Sequence, residues 1–224
     1  MKYFYHYFSS LKEIKIGVKV KHIAIAGNIG AGKTTLSNLL AKQYKWEALY
    51  EDTTNNPYLS DFYDDMSRWS FNLQIYFLNS RFQQVSKIQR GDKTVIQDRT
   101  IYEDAKIFAP NLHEMGFMSD RDFNNYQSLF KIMSSYISPP DLLIYLKSDI
   151  PTLVEHIQER GRDYEGSINL EYLKHLNDKY NEWINNYDNG NLLIIDIANR
   201  NFVKNKLHLG EVIEKIDAEL FGLF

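Results

Sequence analysis

The apolar run Ile23-Ala24-Ile25-Ala26 leads directly into Gly27-Asn28-Ile29-Gly30-Ala31-Gly32-Lys33-Thr34, and Leu36, Leu39, Leu40 and Tyr44 follow at helical spacing. A strand, a glycine-rich loop and a helix in succession are the context in which G-x-x-x-x-G-K-[ST] has chemical meaning. The glycines let backbone N–H groups turn inward on a polyphosphate, Lys33 reaches the outer phosphates, and Thr34 offers its hydroxyl to Mg²⁺ at a helix N-terminus. Residues 27–34, with Thr35 in the first helical turn, are therefore the expected site for ATP. The motif leaves the phosphate acceptor open.

Strand-like runs recur at 20–26, 46–50, 94–97, 142–146 and 192–196, with helical patterns in the gaps. Near-continuous apolar strands alternating with helices predict an α/β fold: a five-stranded parallel sheet flanked by helices on both faces. Ligands in such sheets bind beyond the carboxyl ends of the strands. No linker or charge block divides the 224 residues, so 21–224 reads as one domain. Residues 1–20 read as a loosely ordered N-terminal extension. Their aromatic start resembles a signal peptide, but Lys12, Glu13 and Lys15 interrupt it and no small-residue cleavage site follows.

A formal charge of −3 gives no basic footprint for nucleic acid, and no apolar stretch is long enough to span a membrane as a helix. Cysteine is absent, which excludes thiolate catalysis and zinc-thiolate sites and fits a reducing, cytoplasmic setting. Two helical segments are apolar on more than one side. In 69–89 they include Phe71, Ile75, Leu78, Phe82 and Val85, and in 120–137 Phe123, Tyr126, Phe130, Met133 and Ile137. A helix apolar on more than one face usually packs against two neighbours, so these two segments are the expected interface of a homodimer, with plain core burial as the alternative.

Glu51 follows the second strand, and no Lys, Arg or His occurs from 51 through 67. A monophosphate acceptor calls for arginines. A carboxylate repels such a phosphate but can take the proton of a neutral hydroxyl. The expected acceptor is an uncharged alcohol and Glu51 its general base. Asp98 closes the strand at 94–97, where it can reach Mg²⁺ directly or through water, or pair with Arg99. Arg160 and Arg162 flank Gly161 after the helix at 151–159 and read as an arginine lid over the donor phosphates.

These stretches, together with Asn56-Pro-Tyr-Leu-Ser-Asp-Phe-Tyr63, Arg68-Trp-Ser-Phe-Asn-Leu-Gln74 and Arg160-Gly-Arg-Asp-Tyr-Glu165, resemble the deoxynucleoside kinase family from about residue 22 onward, most closely its bacterial deoxyadenosine/deoxyguanosine kinase branch. The resemblance implies a P-loop NTPase fold and ATP-dependent phosphorylation of a deoxynucleoside 5′-hydroxyl. Deoxyadenosine is favoured, with deoxyguanosine and deoxycytidine as contenders. It further implies catalytic Glu51, Arg99 and Lys33, with Tyr63 and Glu165 on the sugar 3′-hydroxyl. Gln74 would face the base, Arg81 pair with Asp104, Phe108 stack on the base, and Trp69 help to wall the pocket. His156 stands where some relatives carry a further lid arginine. A nucleoside monophosphate kinase and a non-catalytic nucleotide-binding protein are the alternatives, and the acid-rich 51–67 stretch argues against the first.

Overall fold

The computed structural model describes residues 20–51, 53, 55–162, 168–198, 202 and 205–222. The expected extension at 1–20 lies almost wholly outside the described residues. Five parallel strands form one sheet in the order β2-β3-β1-β4-β5: β1 (His22–Gly27), β2 (Glu47–Leu49), β3 (Val95–Asp98), β4 (Leu142–Lys147) and β5 (Asn191–Asp196). Strand bounds differ from the sequence reading by one or two residues, because hydrogen-bond pairing rather than apolar content sets where a ladder ends.

β1 shows why the sheet is covered on both sides. Ala24 and Ala26 face one apolar cluster and Ile23 and Ile25 the other, and all four are fully buried. The Ile23/Ile25 face is covered by α1 (Lys33–Tyr44), α7 (Ile150–Arg160) and α9 (Lys206–Phe221), through Leu36, Leu153 and Val212. The opposite face takes α2 (Leu59–Asp64), α3 (Met66–Arg90), α6 (Asp120–Ser134) and α8 (Leu170–Asn185), through Phe62, Leu78, Tyr126 and Leu176. Small alanines on that face let the bulkier helical layer approach. Half-buried Phe71, Ile75 and Phe82 on α3 pack against the edge of the same layer.

After β3 the chain turns through Arg99, held in the left-handed region at φ 71°, into α4 (Ile101–Glu103). A π-helical turn (Asp104–Phe108) then leads into α5 (Ala109–Glu114). Thr100 and Glu103 cap α4 reciprocally, each side chain accepting from the other residue's backbone N–H. Both ends of that turn, Asp104 and Phe108, are buried.

Candidate active site

The phosphate loop is shaped by main-chain geometry. Gly30 sits at φ 84°, and a Cβ there would lie 2.7 Å from the Leu153 carbonyl oxygen of α7. Gly32, at φ 82°, is similarly closed against the Phe202 ring. Lys33 Nζ donates to the carbonyl oxygens of Gly27 at 2.8 Å and Asn28 at 3.0 Å, so its ammonium crosses the loop mouth. Burial, then the neighbouring Arg99 charge, pulls its pKa down to about 8. The Asn28 side chain turns away and donates to Leu173 O and Asn177 Oδ1 on α8. Ala31 is packed in the core, so at these two positions the loop offers main chain rather than side chain.

Thr34 Oγ1 donates to Asp98 Oδ2 at 2.5 Å, while Asp98 Oδ1 is buried with no hydrogen-bond partner. Burial pushes the Asp98 carboxyl up. A hydroxyl, a carboxylate oxygen without a partner and an adjacent phosphate loop are the donors Mg²⁺ takes when phosphates supply the remaining ligands. Among the described residues no group of three or more His, Asp or Glu could hold a metal ion.

Across the cavity, Glu51 follows β2 and meets two arginines. Arg81 Nη2 on α3 lies 2.7 Å from Glu51 Oε1, and Arg99 Nε lies 3.5 Å from the same oxygen. Arg81 Nε also reaches Asp104 Oδ2 at 3.1 Å, so the expected Arg81–Asp104 pair is present. The bridge from Arg81 back to Glu51 is an addition that the spacing did not reveal. Burial would raise the Glu51 pKa, but the charges of Arg99, Arg81 and Lys33 outweigh it and hold the group at about 2. Burial pushes the Asp104 carboxyl up to about 7, the charges of Arg81 and Arg99 offsetting it only in part.

The phosphate loop and Glu51 open on one cavity of about 650 Å³. Lys33, Thr34, Asp98, Arg160 and Arg162 line its donor end, and Glu51, Tyr63, Gln74, Arg99 and Phe108 the other. Gln74 is almost fully buried, and its Oε1 has no hydrogen-bond partner. Arg81 and Asp104 stand behind the wall rather than in it. Trp69 does not line the cavity, contrary to expectation: its ring lies under the Arg68 guanidinium at 4.4 Å and packs against Tyr58. As an aromatic on an amphipathic helix it satisfies the core and pocket readings equally, and here it packs half-buried against the apolar cluster. Glu165 lies outside the described residues. His156 donates from Nδ1 to the Gly30 carbonyl at 2.9 Å, so this imidazole braces the loop at the donor end.

Several lining side chains escaped the sequence reading, among them Leu59, Leu73, Phe77 and Tyr172, which give the acceptor end apolar walls. So did Glu103, fully buried behind Arg99. Its Thr100-Ile-Tyr-Glu103 spacing is a legible capping-box signal, but nothing in it announces a contact with the phosphate loop.

The deoxynucleoside kinase family model matches residues 23–221. The deoxyadenosine/deoxycytidine kinase of Bacillus subtilis is 36% identical over 196 residues, covering 87% of this chain and 90% of that protein. The deoxyadenosine kinase of Dictyostelium discoideum is 46% identical over 163 residues, 73% of this chain and 66% of that one. Among solved structures, deoxyadenosine kinase from M. mycoides with products dCMP and a flexible dCDP bound superimposes with a TM-score of 0.79 at 29% identity, covering 88% of this chain and 99% of that one. The same enzyme with bound dATP gives a TM-score of 0.77 at 30% identity over the same shares. With a phosphate loop and a carboxylate-bearing acceptor pocket on one parallel sheet, and with the family match spanning nearly all of the described chain, this protein belongs to the deoxynucleoside kinase family.

Proposed function

We propose that the chain transfers the terminal phosphoryl group of ATP to the 5′-hydroxyl of a deoxynucleoside, with deoxyadenosine preferred. The observation that carries this reading is the shared cavity, in which the carboxylate of Glu51 faces the phosphate loop. Tyr63 and Gln74 lie on the acceptor wall with it, and the chain supplies no basic residue between 51 and 67 to hold an acceptor phosphate. In the reaction the 5′-oxygen bonds to phosphorus, the bond to the leaving diphosphate oxygen breaks, and the hydroxyl proton passes to Glu51. With a pKa of about 2 Glu51 is a weak base. That suits a loose phosphoryl-transfer transition state, in which the nucleophile is oriented first and loses its proton late. Lys33 and Arg99 neutralise charge on the transferring group from either side, and Arg160 and Arg162 close over the donor. Thr34 and Asp98 would hold Mg²⁺, which supplies further charge neutralisation on the donor phosphates.

Gln74 supports the base assignment. Its buried Oε1 lacks a partner, and a carboxamide offers one acceptor and one donor group to an adenine edge. Arg81 and Asp104 shape the pocket from behind, Phe108 supplies a ring against the base, and Tyr63 with Glu165 takes the sugar 3′-hydroxyl. Residues 21–224 constitute the kinase domain and 1–20 an extension to it, and a cytoplasmic site of action fits the cysteine-free sequence. No helix among the described residues is long and apolar enough to cross a membrane. Homodimerisation through α3 and α6 is supported by Leu129 and Ile132, which stand 37% and 57% exposed on α6.

A turnover panel with ATP and Mg²⁺ tests the reading. Deoxyadenosine is expected to give the highest kcat/KM of the four deoxynucleosides, with adenosine poorer and deoxyadenosine monophosphate inert. Turnover of the monophosphate alone would overturn the neutral-acceptor assignment, and sedimentation of a monomer at micromolar concentration would overturn the dimer.

A further inference from the structure

Arg99 is held more tightly than its role on the cavity wall requires. Its backbone sits at φ 71°, a conformation unfavourable for a non-glycine residue that persists only where surroundings over-determine it. Its N–H donates to Ile25 O at 3.0 Å, which fixes the residue beside β1. The guanidinium lies over the Phe108 ring at 4.3 Å, and Nη1 donates to the Tyr180 hydroxyl at 3.2 Å. Tyr180 in turn donates to Glu103 Oε1 at 2.7 Å. The same Glu103 oxygen accepts from Gly27 N–H at 3.2 Å, the first residue of the phosphate loop, and Oε2 accepts from Thr100 N–H at 2.7 Å. Neither Glu103 nor Tyr180 lines the cavity, and both are fully buried.

One carboxylate thus joins three pieces: the mouth of the donor loop, the cap of α4 and, through a phenol, the arginine facing Glu51. A cap alone needs only one carboxylate oxygen and does not need Tyr180. A buried carboxylate is costly unless its lone pairs are filled, and this one is filled by groups whose mutual placement decides whether donor and acceptor align. We propose that Glu103 and Tyr180 are positioning residues for phosphoryl transfer, Tyr180 orienting the Arg99 guanidinium and Glu103 tying that orientation to the phosphate loop at Gly27. The proposal rests on the assignment of Arg99 to the transferring group.

Tyr180→Phe is the discriminating variant, because it removes one hydroxyl and keeps the ring packed between Phe108, Tyr145 and Trp183. A loosened guanidinium is expected to lower kcat about tenfold or more, with both KM values within about twofold of wild type. In an Arg99→Ala background the same change is expected to add nothing, since the group it orients is gone. Glu103→Gln, which leaves an amide NH₂ facing one of the N–H or O–H donors, is expected to lower kcat and also raise the KM for ATP, the loop mouth having lost an anchor. If Arg99→Ala keeps wild-type kcat, the role of Arg99 itself falls. If Arg99→Ala is impaired but Tyr180→Phe matches wild type, or costs as much in the Arg99→Ala background, positioning through Tyr180 is overturned. A wild-type kcat and KM for ATP in Glu103→Gln overturns the tie to the loop.

Discussion

Around Lys33 the cavity is built from main chain, whereas around Glu51 it is built from charged side chains brought in by separate elements. The donor end centres on one contiguous loop whose shape follows from two left-handed glycines and whose lysine is parked on its own carbonyls. The acceptor end draws Glu51 from the end of β2, Arg81 from α3, Arg99 from the turn after β3 and Asp104 from the π turn. A phosphate is an invariant shape that backbone amides can cradle. A nucleoside hydroxyl is small and neutral, so the site must orient it with charge, and charge inside a protein needs counter-charge. The donor end should therefore fail through space and the acceptor end through electrostatics.

The largest effect separates the two ends most sharply. Glu51→Gln keeps the shape and removes the charge, and is expected to lower kcat by about a thousandfold. The KM for ATP should change little, because among the described residues Glu51 makes its ion pairs with Arg81 and Arg99 rather than with the loop backbone. Equal loss of ATP affinity would mean that the ends are not separable. Next in size, Asp104→Ala leaves the Arg81 guanidinium, buried to 3% exposure, with Glu51 as its remaining ion-pair partner among the described residues. Removing one member of a buried pair is expected to cost about 3–5 kcal/mol of stability, read by urea unfolding, and Arg81→Met in the same chain should recover part of it. Destabilisation unrelieved by the second change would place the cost in packing instead.

At the donor end, Gly30→Ala puts a methyl group 2.7 Å from the Leu153 carbonyl at a φ of 84°. The strain is expected to cost about 1–3 kcal/mol and to raise the KM for ATP while leaving that for the deoxynucleoside unchanged. Steady-state kinetics with each substrate varied in turn decides this. A rise in the deoxynucleoside KM alone would reverse the division between the two ends.

The same division explains what could be read from the chain. The loop was legible because eight consecutive residues carry it, and the five strands because each is a short apolar run bounded by helical patterns. The place of Glu51 on the cavity could be expected because it follows a strand of a sheet that already carries a phosphate loop, and ligands sit beyond the carboxyl ends of such strands. Glu103 and Tyr180 were not legible: they are far apart in sequence, and each belongs to a local pattern, a helix cap and an amphipathic helix, that explains it sufficiently. Phe202 closes against Gly32 from the segment between β5 and α9, a contact that only the folded chain creates. Trp69 shows the converse, an aromatic on the correct helix whose burial mode the helix period alone leaves undetermined.

The smallest effect at neutral pH bears most directly on how charge is used. A carboxylate held at about 2 stays ionised throughout the ordinary assay range, so Glu51 should leave kcat/KM for the deoxynucleoside flat from about pH 5 to 8. Its folded pKa lies below the 4.5 of the unfolded chain, so it contributes stability that is fully present above 4.5 and is lost as pH falls from there toward 2. Arg81→Gln removes the charge 2.7 Å away while leaving Arg99 and Lys33 in place, and the Glu51 pKa should then rise part of the way back. An acid limb is expected to enter the kcat/KM profile from below, without any shift in the alkaline limb. If the profile of Arg81→Gln overlays that of wild type down to pH 4, Arg81 serves the pocket as shape alone, and the low pKa of Glu51 is the work of Arg99 and Lys33, the two cations that also face the transferring phosphate.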